Sequence, residues 1–230
     1  MLIRQRIWEI DFLRGIAICM MVLFHLVVDL ADFYEFPFNY MNGFWYYEGK
    51  LAAILFVSLA GVSTRFSSNN FKRGLVILGW GLILTVLTYV YNPNTYIRFG
   101  ILHLLGSSLI LFHYFKSTGA AWLGVIALML FGIAYTTAGK VVQSPIFIPV
   151  GLPPADFVSL DYYPLLPWLS VFLLGVLGGR YLYKQPKSLF SEFPHQSMLT
   201  ILGRHSLTVY LIHQPLLLAA LYMFHLIGII

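Results

Sequence analysis

Four ionisable residues, Asp11, Arg14, His25 and Asp29, crowd one otherwise apolar stretch near the start of the chain. An ionisable side chain in a membrane-spanning helix is costly unless it faces protein or water, so each is a candidate for function. On a helix, Arg14 and His25 fall three turns apart on one face, about 16 Å along the axis. Asp29 follows His25 by one turn, within reach of the imidazole. Ile18, Met21 and Val22 fill the stripe between, and Asp11 and Arg14 form an (i, i+3) pair. A histidine beside a carboxylate can act as a general base, because the carboxylate orients the imidazole and stabilises its protonated form. A buried arginine on the same face can hold an anionic group such as a phosphate. The alternative is that His25 and Asp29 only bond across helices and hold the bundle together.

Three further stretches carry polar residues of the same kind. In Arg98-Phe-Gly-Ile-Leu-His103-Leu-Leu-Gly106, Arg98 lies at a membrane interface and His103 lies deeper, while Gly100 and Gly106 let another helix approach. Asp161-Tyr-Tyr-Pro-Leu-Leu-Pro-Trp168 opens a helix, with Pro164 suited to its first turn and Asp161 placed to cap it or to reach a cavity. Gly203-Arg-His-Ser206-Leu-Thr-Val-Tyr210-Leu-Ile-His213-Gln-Pro215 puts Ser206, Tyr210 and His213 on one helical face, with Gln214 beside them and Pro215 expected to kink the helix. Arg204 and His205, with Arg73, Arg180 and Lys184, are placed to form a basic mouth at the inner end, the alternative being that each only sets topology. His113, His195 and His225 have no acidic partner nearby in sequence and read as structural.

These residues need elements that hold them in a membrane. Of 230 residues, 59% are hydrophobic and only 10% are charged, against about 25% in a soluble domain. Too few polar side chains remain to coat a water-facing surface. Seven apolar stretches, 10–32, 49–66, 73–91, 98–115, 119–138, 163–183 and 205–228, approach the length of about 20 residues that a spanning helix needs. Turn-forming residues separate them at 39–43, 67–70, 92–95, 117–119 and 145–154. The first stretch is too long for a signal-peptide core, carries charges and lacks a small-x-small cleavage site, so it reads as a retained span.

With the N-terminus in the cytoplasm, ten Lys and Arg residues, among them Arg4, Arg6, Arg65, Lys116 and Lys187, fall inside; only Lys50, Arg98 and Lys140 fall outside. That bias sets the orientation. It also accounts for the net charge of +5 without a nucleic-acid partner. The longest outer segments, 33–48 and 139–162, are rich in aromatics and proline. The expected fold is an all-α integral membrane bundle of about seven helices, N-terminus cytoplasmic and C-terminus outside, forming one domain over 1–230. Cys19, the single cysteine, excludes an intrachain disulfide. There is no His-Glu-x-x-His zinc motif, no Walker phosphate loop and no Gly-x-Ser-x-Gly elbow.

Four stretches in order, Asp11-Phe-Leu-Arg-Gly-Ile-Ala through His25, Arg98 to Gly106, Asp161 to Trp168 and Leu202 to Pro215, resemble the bacterial branch of the heparan-α-glucosaminide N-acetyltransferase catalytic-domain family. That family lies within a wider superfamily of transmembrane acyltransferases. The ten residues between Arg14 and His25 also resemble the signature of the acyltransferase-three branch. The resemblance implies an acyl-CoA donor on the cytoplasmic side, an acceptor reached from outside, and a catalytic role for His25. The lysosomal branch carries Asn at the position of His25 and places its proposed catalytic histidine in the first luminal loop. The matching loop here, 33–48, has no histidine.

The expected activity is transfer of an acyl group, acetyl first among them, from acyl-CoA to a hydroxyl or amine of an extracytoplasmic, cell-envelope sugar. His25, oriented by Asp29, is the expected base or acyl carrier. Arg14, Asp11, Arg98, His103, Asp161, Arg204, Tyr210, His213 and Gln214 are the expected substrate- and CoA-binding residues. No metal and no permanently bound cofactor is expected; acyl-CoA serves as co-substrate. The expected location is a prokaryotic cytoplasmic membrane, with a homo-oligomer compatible. The competing class is a proton-coupled transporter or flippase of an anionic or lipid-linked solute, since intramembrane Asp, Arg and His also build proton relays.

Overall fold

The computed structural model describes residues 7–190 and 197–230; Arg4, Arg6 and His195 lie outside them. The described residues form eight α-helices: α1 (Trp8–Tyr34), α2 (Gly43–Val62), α3 (Asn70–Tyr91), α4 (Ile101–Phe115), α5 (Ala120–Thr137), α6 (Leu165–Leu182), α7 (Met198–Arg204) and α8 (Ser206–Leu226). Short 3-10 turns occupy Ser63–Arg65 and Pro145–Val150. Among the described residues, β pairing is confined to one parallel bridge between Phe99 and Tyr162.

Five helices, α1, α3, α5, α6 and α8, are long and apolar enough to cross a membrane. The other two expected spans fall short for visible reasons. The α4 helix has 15 residues, about 22 Å of rise against a hydrocarbon core of about 30 Å. The α2 helix has 20 residues but carries Glu48 and Lys50 in its first half. It starts at Gly43 rather than at 49, so the outer segment expected over 33–48 is partly helical. Lipid is the natural solvent for α3 and α5, because their outward side chains are large and apolar: Val86 is 61% exposed and Leu128 73%.

The chain divides into two compact units, Met1–Leu59 with Gln185–Ile230, and Ala60–Lys184. In the first unit α1 packs on α7 and α8. The α1–α7 crossing is a backbone contact: a Cβ on Gly203 would run into the Asp11 carbonyl, and one on Gly15 into the Leu199 carbonyl. Glycine at both positions removes the side chains that would hold the helices apart. Glu9 ties the start of α1 to the segment before α7, its carboxylate accepting from the Leu189 amide at 2.8 Å while the Trp8 indole donates to the Phe190 carbonyl at 3.0 Å. The far end of α1 stops at Glu35, which turns left-handed (φ 58°, ψ 24°) with its amide on the Leu30 carbonyl.

In the second unit α3 and α4 form an antiparallel pair, closest where Leu78 meets Gly106, and α5 pairs with α6. Leu104, Leu109, Leu123 and Phe172 of α4, α5 and α6 are each 0% exposed, with Ser108 and Ser170 buried on α4 and α6. Asn69 caps α3, its side chain accepting from the Lys72 amide at 2.9 Å, where the turn at 67–70 was expected. Leu166 (φ −97°, ψ 125°) breaks the first turn of α6, next to a cis Leu166–Pro167 peptide. Pro164 is the residue before that helix and not part of its first turn.

Candidate functional site

The residues singled out by sequence divide between the two units. Asp11, Arg14, His25, Asp29, Arg204, Tyr210, His213 and Gln214 belong to the first, and Arg98, His103 and Asp161 to the second.

In the first unit the centre is where α1 faces α8. The His25 and His213 rings meet edge to face with centroids 4.9 Å apart. The Tyr210 ring lies 5.6 Å from His213, as the spacing of one helical face requires. The His213 Nδ1–H donates to the Tyr210 carbonyl at 2.7 Å. That bond fixes the neutral tautomer, leaving Nε2 with a bare lone pair. Asp29 is 2% exposed, and its Oδ1 accepts from the Gln214 side-chain amide at 2.7 Å. Hence the expected dyad is replaced. Asp29 does not bond His25 one turn back; α8 brings Gln214 to the carboxylate and His213 to the imidazole. The four residues meet here in a pairing other than the one expected, because an (i, i+4) reach within one helix says nothing of what a second helix offers.

Three buried polar atoms in this cluster have no hydrogen-bond partner among the described residues: Asp29 Oδ2, Gln214 Oε1 and His213 Nε2. All three are acceptors once the tautomer is assigned. A group that satisfies them has to bring N–H or O–H donors.

The Asp11, Arg14 and Arg204 group lies at the other end of α1, about 16 Å from His25 along the axis. Arg14 Nη1 donates to Asp11 Oδ1 at 3.1 Å, and Arg204 Nε lies 3.6 Å from Asp11 Oδ2. Two guanidiniums converge on one carboxylate.

Arg180, expected at a basic mouth, is engaged at the end of a helix in its own unit. Arg180 donates to the Thr118 carbonyl at 2.6 Å and to the Lys116 carbonyl at 2.8 Å, closing off the C-terminal end of α4. Arg65 does the same at the end of α6 through the Tyr183 and Lys184 carbonyls. Cations at helix C-termini satisfy the negative end of the peptide dipoles.

In the second unit, Asp161 caps a helix, but α4 and not α6. Its Oδ2 accepts from the Ile101 amide at 2.9 Å, whereas α6 has no side-chain cap. The reason is the bridge at Phe99 and Tyr162, with the Tyr163 amide donating to the Phe99 carbonyl at 2.9 Å, which brings the segment before α6 to the start of α4. Gly100 makes room for this carboxylate rather than for a helix; a Cβ there would meet Asp161 Oδ2.

His103 uses both ring nitrogens within the protein. Nδ1 accepts from the Gly100 amide at 3.2 Å, which puts the proton on Nε2, 3.2 Å from Thr85 Oγ1. Arg98 lies over the Tyr96 and Phe157 rings at 4.9 and 5.3 Å, and among the described residues its buried Nε has no acceptor. Nearby, the Tyr162 hydroxyl donates to the Ile148 carbonyl at 2.8 Å, and burial pushes its pKa up to about 12. In the segment after α1, Tyr40 donates to Asp32 at 2.7 Å, and that bond raises the phenol's pKa.

Sequence reading missed Thr85 and Glu48. Thr85 carries no signal before its helix is paired with α4. Glu48 is a lone acid preceding an apolar run, which an earlier start for α2 would have brought into the span. Among the described residues no group of three or more His, Cys, Asp or Glu is placed to hold a metal ion.

Comparison with known proteins agrees with the motifs. The family model described as heparan-alpha-glucosaminide N-acetyltransferase, catalytic, matches residues 6–215. No curated protein and no solved structure matches the chain. The matched span contains every residue of both clusters, from Asp11 to Gln214, and its apolar helices are those of a multi-pass membrane protein. This chain therefore belongs to the heparan-alpha-glucosaminide N-acetyltransferase catalytic-domain family of transmembrane acyltransferases.

Proposed function

We propose that the protein moves an acyl group, acetyl first among them, from cytoplasmic acyl-CoA to a hydroxyl or amine of an extracytoplasmic sugar, with His25 at the reacting centre. The observation that carries this reading is the buried α1–α8 cluster: two histidines in ring contact, beside a carboxylate held by Gln214. In the direct route the His25 imidazole takes the acceptor's proton as its oxygen or nitrogen attacks the thioester carbon. The C–S bond breaks and the thiolate recovers a proton from the imidazolium. In the two-step route an imidazole nitrogen takes the acyl group, the thiolate leaves with the N–H proton, and the acceptor then attacks the acyl-imidazole. His213 lies where it can pass or hold a proton for His25 in either route.

The orientation with the N-terminus in the cytoplasm and the C-terminus outside follows the Lys and Arg bias. It puts the Asp11–Arg14–Arg204 group on the CoA side and His25 toward the acceptor. Guanidiniums of this kind suit CoA phosphates. In this reading α2 and α4 complete seven passes, and residues 1–230 work as one acyltransferase domain in a prokaryotic cytoplasmic membrane. Arg98 has donor capacity left for a substrate, while His103 and Asp161 support the backbone around it. The transporter reading has no observation of its own in the structure.

The test uses purified wild type, His25→Ala and His213→Ala in detergent, assayed for acetyl-CoA binding and thioester turnover. General-base help is worth about 10²–10⁴-fold. His25→Ala should retain acetyl-CoA binding and lose turnover by at least about 100-fold. Wild type that neither binds nor turns over acyl-CoA of any chain length refutes the reading.

A further inference from the structure

Glu48 lies in the first half of α2, in the same unit as His25. It is only 9% exposed, and among the described residues neither carboxylate oxygen has a hydrogen-bond partner. The neighbouring cation does not answer it through the ring it sits on: Lys50 Nζ lies over the Tyr46 ring at 5.5 Å. The next residue fixes where Glu48 sits along α1. A Cβ on Gly49 would lie 2.6 Å from the Phe24 ring. Phe24 in turn stands edge-on to His25, with ring centroids 6.0 Å apart. Glu48 therefore lies at the level of His25. A buried, unpartnered carboxylate opposes folding, so a chain that keeps one gains something from it in a bound state.

We propose that Glu48 binds the acceptor, accepting hydrogen bonds from hydroxyl or ammonium groups that flank the reacting atom. This rests on the acyltransferase reading for its substrate, but not for its test. Glu48 supplies two acceptor atoms, in addition to the orphaned acceptors of Asp29, Gln214 and His213. A site built this way selects a donor-rich, uncharged or cationic acceptor and turns away anionic ones.

The test measures stability and acceptor binding separately from acyl transfer. Thermal unfolding in detergent is followed for wild type, Glu48→Gln and Glu48→Leu, each titrated with a neutral hexose, an amino sugar and a uronic acid. Leucine removes the unpartnered carboxylate, so Glu48→Leu should unfold at a higher temperature than wild type while binding the sugar at least tenfold more weakly. Glutamine separates the sources. A larger loss for the amino sugar than for the hexose assigns an ammonium, and equal losses assign hydroxyls. The inference is overturned if Glu48→Leu is no more stable than wild type, if both variants bind sugar as wild type does, or if no sugar binds wild type. Glu48-dependent sugar binding by a wild type that never turns over a thioester would sink the acyltransferase reading alone.

Discussion

The Asp29–Gln214 hydrogen bond carries the sharpest quantitative expectation, because it joins α1 to α8 beside both histidines at 2.7 Å. Two estimates of its worth exist and they differ. Hydrogen bonds to charged groups contribute about 1.5–3 kcal/mol to stability. Double-mutant cycles on hydrogen bonds inside membranes average about 0.6 kcal/mol and reach about 1.7. A bond this short, to a carboxylate 2% exposed, belongs at the overlap, about 1.5 kcal/mol.

The cycle is wild type, Asp29→Leu, Gln214→Leu and the double variant, unfolded reversibly in mixed micelles. Gln214→Leu alone should cost the most, about 3 kcal/mol, since it removes the bond and strands a buried carboxylate. The double variant should recover most of that loss, because two apolar side chains leave nothing unsatisfied. The coupling is the part that tests the geometry. A value below about 0.5 kcal/mol is within the additivity expected of independent sites, and it would mean that Gln214 and Asp29 do not meet. The argument that α8 rather than His25 organises Asp29 would then fall.

Other expectations follow from single contacts. Gly203→Val drives a side chain into the Asp11 carbonyl, and should destabilise by at least about 3 kcal/mol, seen as loss of folded protein on gel filtration. Gly100→Ala should lower the unfolding temperature through its clash with the Asp161 carboxylate; adding Asp161→Ala should restore part of it, at the price of a helix cap worth about 1 kcal/mol. Tyr162 has its pKa raised from 10.0 to about 12, so the stability it lends is full below pH 10 and drains away as pH rises toward 12; Tyr162→Phe should flatten that part of the profile. In a Cys19→Ser background, an impermeant maleimide added outside whole cells should label Asn39→Cys and leave Ser68→Cys unlabelled; the reverse pattern inverts the orientation.

The helices were legible from composition because lipid imposes length and apolarity on each one. The limits 73–91, 98–115 and 119–138 fall within a few residues of α3, α4 and α5. Chemistry was legible as residue types, since a charge or an imidazole in such a run stands out against its neighbours. Pairing was not. Asp29 found Gln214, and Asp161 found the amide of Ile101, across 185 and 60 residues of chain. Neither partner can be reached by periodicity, which orders residues on one helix and is silent about the next. Glycine carried more than it disclosed: Gly203 and Gly15 drew no notice in the sequence, and that they bring α7 onto the backbone of α1 beside Asp11 required the fold.

The chemical sense of the unpaired atoms leads further than their number. Asp29 Oδ2, Gln214 Oε1, His213 Nε2 and both Glu48 oxygens are acceptors, all within one unit. At the opposite end of α1 two guanidiniums, Arg14 and Arg204, meet the Asp11 carboxylate. A chain that sets orphaned acceptors about 16 Å from a pair of guanidiniums is suited to two different ligands. One is anionic, held by guanidinium N–H groups; the other is rich in hydroxyls or amines. An anionic solute that crossed by a single route would meet carboxylates where it needs cations, which is the physical objection to transport of such a solute. Transfer of a small neutral acyl group between the two ends has no such conflict, because the anion stays at the basic end and the acceptor never has to pass it. Arg204→Glu reverses the charge of the basic end and leaves the other untouched. It should weaken acetyl-CoA binding at least tenfold while leaving sugar binding unchanged; equal losses of both ligands would refute the separation.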